Sequence, residues 1–212
     1  MTPLVIYGAG GLGREIAPVV KAMGLPEIKG FCDDYIPKGT IIQGLHVLGG
    51  FEVLANAKDQ LNVVVAIGNP NTKKSVVEKL SHLDFIKFPS IIHPSAIVMN
   101  KRSVKLGMGA VVGAGSILTT DINVGSFVLI NINTTVGHDC TIGDFSSIMP
   151  GCNISGQVQI SESVLIGAGV SIRNGIKVGA QSVVGMGSVV VQDVDSGSVV
   201  VGVPARQKKS NN

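Results

Sequence analysis

The sequence predicts a chain in two parts, an α/β front segment followed by an all-β solenoid with a six-residue period. Three observations carry that expectation. Near the start, a glycine-rich turn lies between an apolar strand pattern and a helical pattern. From Leu106 onward an aliphatic residue recurs at every sixth position. The composition is aliphatic and glycine-rich: hydrophobic residues make up 45%, aromatics 4% and charged residues 15%, with 28 Gly and no Trp in 212 residues. Many β-branched residues with many glycines suit short strands joined by tight turns.

The same numbers exclude several classes. A chain with so few charges and so much apolar content is not disordered. A net charge of +3 gives too weak a field to imply a nucleic-acid partner. No apolar run reaches the ~18 residues of a membrane span, so buried strands account for the positive hydropathy. The first residues lack the basic region and long apolar stretch of a secretory signal. Three cysteines, Cys32, Cys140 and Cys152, follow no disulfide spacing and suit a reducing, cytoplasmic setting.

In the front segment, residues 3–7 read as an apolar strand. Gly8-Ala9-Gly10-Gly11-Leu12-Gly13 follows, a GxGxxG, and then a helix over 14–23. A second strand over 28–32 ends in Asp33-Asp34, and Asp33 lies twenty residues after Gly13, the spacing of a dinucleotide-binding unit. Residues 61–67 form another buried strand ending in Gly68-Asn69-Pro70, followed by a helix over 72–80. Backbone N–H groups at the first helix would hold a diphosphate. Asp33 and Asp34 would accept from a ribose or base N–H; a solvated acidic turn is the alternative. Fewer than ninety residues precede the repeats, room for a Rossmann-like half domain (1–88) that suits one nucleotide better than NAD.

Fifteen consecutive hexads, from Leu106 to Val190, begin with an aliphatic residue. The second residue is Gly in eight of them, and the fourth is Gly, Asn or Asp in ten, the types that tolerate a left-handed turn. The stretch Ile92, Val98, Val104 keeps the period two residues out of phase. One hexad gives a short strand and a corner, and three close an 18-residue coil; coils then stack at the ~4.8 Å strand spacing. The first and fifth positions face in, and the second to fourth lie at corners.

This run, over about residues 90–205, resembles the left-handed parallel β-helix of the hexapeptide-repeat acyltransferases. With its front segment, nearly the whole chain resembles the sialic acid O-acetyltransferase family and its relatives, the bacterial UDP-4-amino-sugar N-acetyltransferases. The likeness runs through YGAGGLGRE at 7–15, FCDD at 31–34, AIGNP at 66–70, HPSA at 93–96, VGHDCTIGDFSS at 136–147 and VGVPAR at 201–206. It implies a 1–88 nucleotide-sugar domain, an 89–205 left-handed β-helix acyltransferase domain and a flexible tail over 206–212. It also implies a homotrimer with acetyl-CoA between neighbouring prisms. By this resemblance Gly10, Gly11, Leu12, Asp33, Asp34 and Gly68 line the nucleotide-sugar site. Leu12 departs from the His that these enzymes often carry and cannot make its hydrogen bond. Acetyl-CoA is placed near Ser147, Ala168 and Met186; Ser147 replaces a His of some relatives.

Of the four histidines, His46 and His82 have no visible partner in the sequence, and His93 sits before Pro94 at the junction. His138 is the third residue of its hexad, so the repeat points it outward. Its neighbour Asp139 would hydrogen-bond one ring nitrogen and fix the tautomer. The resemblance makes His138 the general base, polarised by Asp139. Gly156 lies one coil above His138; a missing side chain there would leave room for a thioester, and its N–H would face an oxyanion. Cys140 and Cys152 fall at inward positions and read as core residues. The column Ile132, Pro150, Ala168, Met186 is apolar at an outward corner, which suits a pantetheine groove or a subunit seam. Phe127 and Phe145 stack on another corner, suiting an interface. Arg206, Lys208 and Lys209 form a basic end that is more readily a solvated tail than a contact for CoA phosphates.

The expected activity is therefore acetyl-CoA-dependent transfer to the amine of a nucleotide-activated amino sugar, for surface glycan synthesis. O-acetylation of sialic acid or another sugar, a non-catalytic sugar-binding scaffold, and an NAD oxidoreductase at the front segment stand as alternatives. A metal is not expected, because a zinc site of the carbonic anhydrase kind needs three His and the regular coils hold only His138.

Overall fold

The unbroken apolar run Leu4–Tyr7 forms β1, the buried central strand of the front unit. In the computed structural model, which describes residues 2–24 and 27–208, that unit extends to Pro94 and a second begins at Ser95. After β1 come α1 (Gly11–Ala22), β2 (Ile28–Cys32), β3 (Ile41–Ile42), β4 (Leu45–Gly49), α2 (Phe51–Ala55), β5 (Leu61–Val65), α3 (Pro70–Leu80) and β6 (Ile86–Lys87). The sheet order is β3-β4-β2-β1-β5-β6, parallel throughout except for the β3–β4 hairpin. Strand order therefore reverses at β1, a topological switch point of the kind that binds ligands outside the carboxyl ends of the strands.

Local chemistry explains the boundaries. α1 starts at Gly11, three residues before the expected helix, because Arg14 N–H already donates to Gly10. It buries Gly13, Ile16, Ala17 and Val20, a single helical face. Gly13 is required there, since a Cβ would strike the Gly8 carbonyl oxygen. α3 starts at Pro70, two residues early, with Asn69 as its cap accepting from Thr72 N–H at 3.0 Å. The β3–β4 hairpin was not anticipated. Its two-residue loop, Gln43 (φ 50°) and Gly44 (φ 78°), has both residues in the left-handed region, as a tight hairpin demands.

In the second unit the hexad phase holds. First-position residues from Val112 to Val190 are buried, as are the fifth-position residues from Ala110 to Val194. Parallel pairs lie 18 residues apart on all three faces, as in Val112↔Ile130, Leu118↔Val136 and Val124↔Ile142. The first coil is longer: Ile97 pairs with Ile117 while Lys105 pairs with Asn123. Two extra residues sit in a turn at Asn100–Ser103, closed by Ser103 N–H to Asn100, and account for the break in phase. At the other end Val183 pairs with Val199, a coil shortened by two.

Every fourth-position residue from Gly109 to Gly187 has positive φ, including Phe127, Phe145, Gln157, Ser163 and Gln181. The corner thus imposes a left-handed residue whatever the side chain. Among the fifth-position hydroxyls and thiols, Ser116, Thr134, Cys140, Ser146 and Cys152 each donate to the carbonyl fifteen residues on, while Ser182 donates back to the Gly179 carbonyl and Ser188 accepts from the Gly202 N–H. Arg206–Gln207, assigned to the expected tail, instead pairs antiparallel with Val199–Val201. Lys209, named with that tail, lies outside the described residues.

Candidate functional site

His138 projects from a corner whose flanking inward residues, Val136 and Cys140, are fully buried. The imidazole and the Asp139 carboxylate are each 56% exposed. Nδ1 lies 2.7 Å from Asp139 Oδ2. Asp139 reaches back because it is the left-handed residue of its corner, at φ 59°. A carboxylate only accepts, so this contact assigns a proton to Nδ1 and leaves Nε2 as the nitrogen free to accept. The Asp139 carboxylate therefore reaches the ring directly.

Gly156 sits one coil above, as the phase predicts, but the space it leaves is already filled. A Cβ there would lie 2.5 Å from His138 Nε2 and 2.6 Å from Cε1. The ring is laid across the glycine backbone, and the absent side chain makes room for the imidazole itself rather than for a thioester.

The apolar column stands on a different corner. Met186 is 80% exposed and Ile132 is partly so, while Pro150 and Ala168 are half-buried. Ser147 faces neither corner and is fully buried. Asn131, also on the apolar column's corner, is buried and accepts from the Ile132 N–H. One prism thus carries the imidazole on one corner and the apolar column on the next. On the third corner Phe127 and Phe145 stack with ring centroids 5.5 Å apart and planes 1° from parallel. Burial pushes the Cys140 and Cys152 thiols up, away from the thiolate form, and both donate to carbonyls. They act as core residues.

In the front unit a cleft of about 470 Å³ opens at the carboxyl ends of the strands. Tyr7 and Gly8 come from β1, Asp33, Asp34 and Tyr35 from the end of β2, and Ile67 from the end of β5. Asn71, Thr72, Ser75, Val76 and Lys79 of α3 complete it. Asp33 and Asp34 are the predicted residues that line this cleft; Gly10, Gly11, Leu12 and Gly68 are not in its wall. Gly10 and Gly11 face open space at the start of α1, where no acidic residue occupies the first turn. The α3 residues escaped sequence reasoning, because a helix with ordinary polar residues carries no motif.

Both carboxylates are held in place. Asp33 accepts from the N–H groups of Ala9, Tyr35 and Ile36, and Asp34 from the Tyr7 hydroxyl (2.7 Å) and the Phe51 N–H (3.0 Å). Burial, then the bond to Asp34, pushes the Tyr7 phenol well above its usual range. Cys32 beneath is pushed up to about 12, mainly by burial with Asp34 and Asp33 adding. Neither is a nucleophile. No group of side chains among the described residues is arranged to hold a metal ion. No helix among them is long and apolar enough to cross a membrane.

Comparison with known proteins places these features. The PglD N-terminal domain family matches residues 3–80, and the hexapeptide repeat of succinyl-transferase matches 95–120 and 157–192. The chain is 33% identical to a GDP-perosamine N-acetyltransferase of Escherichia coli, over 93% of this chain and 81% of that protein. It superposes on the acetyltransferase domain of PglB from Neisseria gonorrhoeae with a TM-score of 0.92 at 33% identity, covering 98% of this chain and all of that one. PerB from Caulobacter crescentus, solved with CoA and GDP-perosamine, matches with a TM-score of 0.88 at 29% identity, covering 99% and 98%. The solenoid accordingly has the left-handed form.

Proposed function

Because the chain belongs to the hexapeptide-repeat sugar acetyltransferases with a PglD-type front domain, we propose that it transfers the acetyl group of acetyl-CoA to the amine of a nucleotide-activated amino sugar. The relatives that bind CoA and GDP-perosamine support the substrate class. The observation that carries the mechanism is the imidazole braced by Asp139 and laid across Gly156.

In this reading the amine lone pair attacks the thioester carbonyl carbon, forming a tetrahedral intermediate. His138 Nε2 takes the ammonium proton, while Nδ1–H stays on Asp139, which steadies the imidazolium. The C–S bond then breaks, the thiolate leaves and receives the proton, and an amide and free CoA result. The Gly156 N–H serves the oxyanion, a role worth ~3 kcal/mol. Asp33 and Asp34 hold the nucleotide-sugar in the cleft they line, Gly10, Gly11, Leu12 and Gly68 meet the part of it outside that cleft, and Ala168 and Met186, rather than the buried Ser147, border the acetyl-CoA.

The acyl-donor column and His138 stand on different corners of one prism. A second copy bringing its apolar corner to this histidine completes the site, which supports a homotrimer with three shared sites. The protein is proposed to work in the cytoplasm. The test is CoA release with amino-sugar and hydroxyl-sugar nucleotides as acceptors. His138→Ala is expected to lower kcat/KM by about 10²–10⁴-fold with amine acceptors. A loss below about tenfold would count against the general base, and turnover of hydroxyl acceptors alone would count against N-acetylation.

A further inference from the structure

The extra turn of the first coil lies on the corner that carries His138. Ile97 pairs with Ile117, twenty residues on, while Lys105 pairs with Asn123, eighteen on, so two residues are inserted between them. Asn100 N–H donates to the Thr119 carbonyl, and Ser103 Oγ accepts from the Asp121 N–H. Asn100 therefore lies under the Thr120 corner and Ser103 under Asp121, and the two inserted residues are Lys101 and Arg102. They stand at the tip of the corner, one coil below Thr120 and Asp121 and two below His138 and Asp139. Resting on the amino-sugar acetyltransferase reading above, we infer that this ledge is an anion subsite for the acceptor: Lys101 and Arg102 hold the phosphate on its anomeric carbon while the amine of the same sugar meets His138.

Order, charge and reach support this. The Asn100 carbonyl accepts from the Ser103 and Val104 N–H groups, and Asn100 Oδ1 accepts from the Arg102 N–H at 3.2 Å. Asn100 Nδ2 donates to Thr120 Oγ1 at 3.1 Å, and Ser103 Oγ lies 3.0 Å from the same hydroxyl. The backbone under the two cations is thus tied to the next coil before a ligand arrives, which lowers the ordering cost of binding. Both side chains are exposed, and among the described residues neither pairs with a carboxylate. No Asp or Glu occurs between Asp84 and Asp121. Asp121, the next acid up the corner, accepts from the Thr120 hydroxyl at 2.9 Å. Two rungs of the solenoid span about 10 Å, which suits the reach from a ring amine across one pyranose to a phosphate on its anomeric oxygen. The Arg102 fork matches two phosphate oxygens and the Lys101 ammonium adds a point charge. A neutral glycoside offers this pair nothing.

Three acceptors built on one 4-amino sugar test this with the full chain: its nucleoside-diphosphate form (UDP- or GDP-linked), its 1-phosphate and its methyl glycoside. The 1-phosphate carries no nucleoside, so base recognition does not enter the comparison. The wild type is expected to use the 1-phosphate with a kcat/KM about ten- to a hundredfold above that of the methyl glycoside. Lys101→Gln combined with Arg102→Gln is expected to bring that ratio near one and to raise KM for the nucleotide-linked acceptor about tenfold. KM for acetyl-CoA, which also carries phosphates, should not move. Lys105→Gln, at an exposed cation on the adjoining face, should change neither the ratio nor either KM. A ratio preserved in the double variant, a raised KM for acetyl-CoA in place of the acceptor, or an equal effect from Lys105→Gln would overturn the ledge and leave acetyl transfer standing. Turnover of the nucleotide-linked form with unchanged KM in the double variant would do the same. Turnover of no nucleotide-linked amino sugar would overturn both.

Discussion

Asp139 performs two tasks with one residue. As the left-handed corner residue it turns the chain at φ 59°, and as a carboxylate it fixes the imidazole tautomer. Asn tolerates the same turn but offers an amide where a charge stood. Asp139→Asn is therefore expected to keep the fold by circular dichroism and lower kcat at least about tenfold, since the imidazolium loses its counter-charge. Gly156→Ala puts a methyl where the ring lies. The ring is exposed and free to swing away, so the melting temperature should stay near wild type while kcat falls about a hundredfold. Unchanged kcat would show that the ring position over Gly156 is unimportant. Much of this was legible: the hexad phase gave the outward His138, its coil neighbour Gly156 and the inward Cys140. What phase does not give is side-chain direction, so the ring's occupation of the Gly156 space was not foreseen.

The solenoid corner decides its own backbone. Glycine, Asn or Asp at ten of fifteen fourth positions made the turn readable, yet Phe127, Gln157 and Ser163 adopt the same left-handed φ without being suited to it. The cooperative ladder above and below each corner outweighs a local preference of about 1–2 kcal/mol. Gly169, at φ 69° with no heavy atom within 4 Å of an added Cβ, isolates that preference. Gly169→Ala should cost about 1 kcal/mol in urea unfolding, purely from the backbone. The inward fifth position is a donor slot as well as a small one. Cys140→Ser keeps the bond that Ser116 and Ser146 make and should stay within about 1 kcal/mol of wild type. Cys140→Leu overfills the corner and should lose about 1–3 kcal/mol in the same measurement. The β3–β4 hairpin stayed unread because Gln43-Gly44 is not among the common turn pairs, although its geometry is the usual one.

The two units differ in how they hold together, and one buried cation gives the front unit a pH signature. Lys73 is 3% exposed, and burial pushes its ammonium down to about 7 from 10.5. Between those values the unfolded chain binds a proton that the folded chain does not, so stability rises with pH across that window. The slope is at most about 1.4 kcal/mol per pH unit. Lys73→Met should flatten that rise in denaturant titrations at pH 7 and pH 9; an unaltered slope would show that Lys73 is charged when folded. Whole-molecule organisation was the most legible scale, since a long uninterrupted period leaves few architectures open. The cleft wall supplied by α3 was not, because residues 33 and 79 meet only once the sheet has ordered its strands.

At the upper end of the prism Arg206–Gln207 runs backward along Val199–Val201, Val189 is bracketed by Gly202 and Ala205, and the Lys177 backbone N–H donates to the Asp193 carboxylate. A stack of parallel rungs is otherwise an open template onto which another chain's first rung would add, coil on coil, into a fibre. The reversed hairpin covers that edge with a strand of the wrong direction, so a further parallel rung is expected not to add there even though the repeat has no intrinsic stopping point.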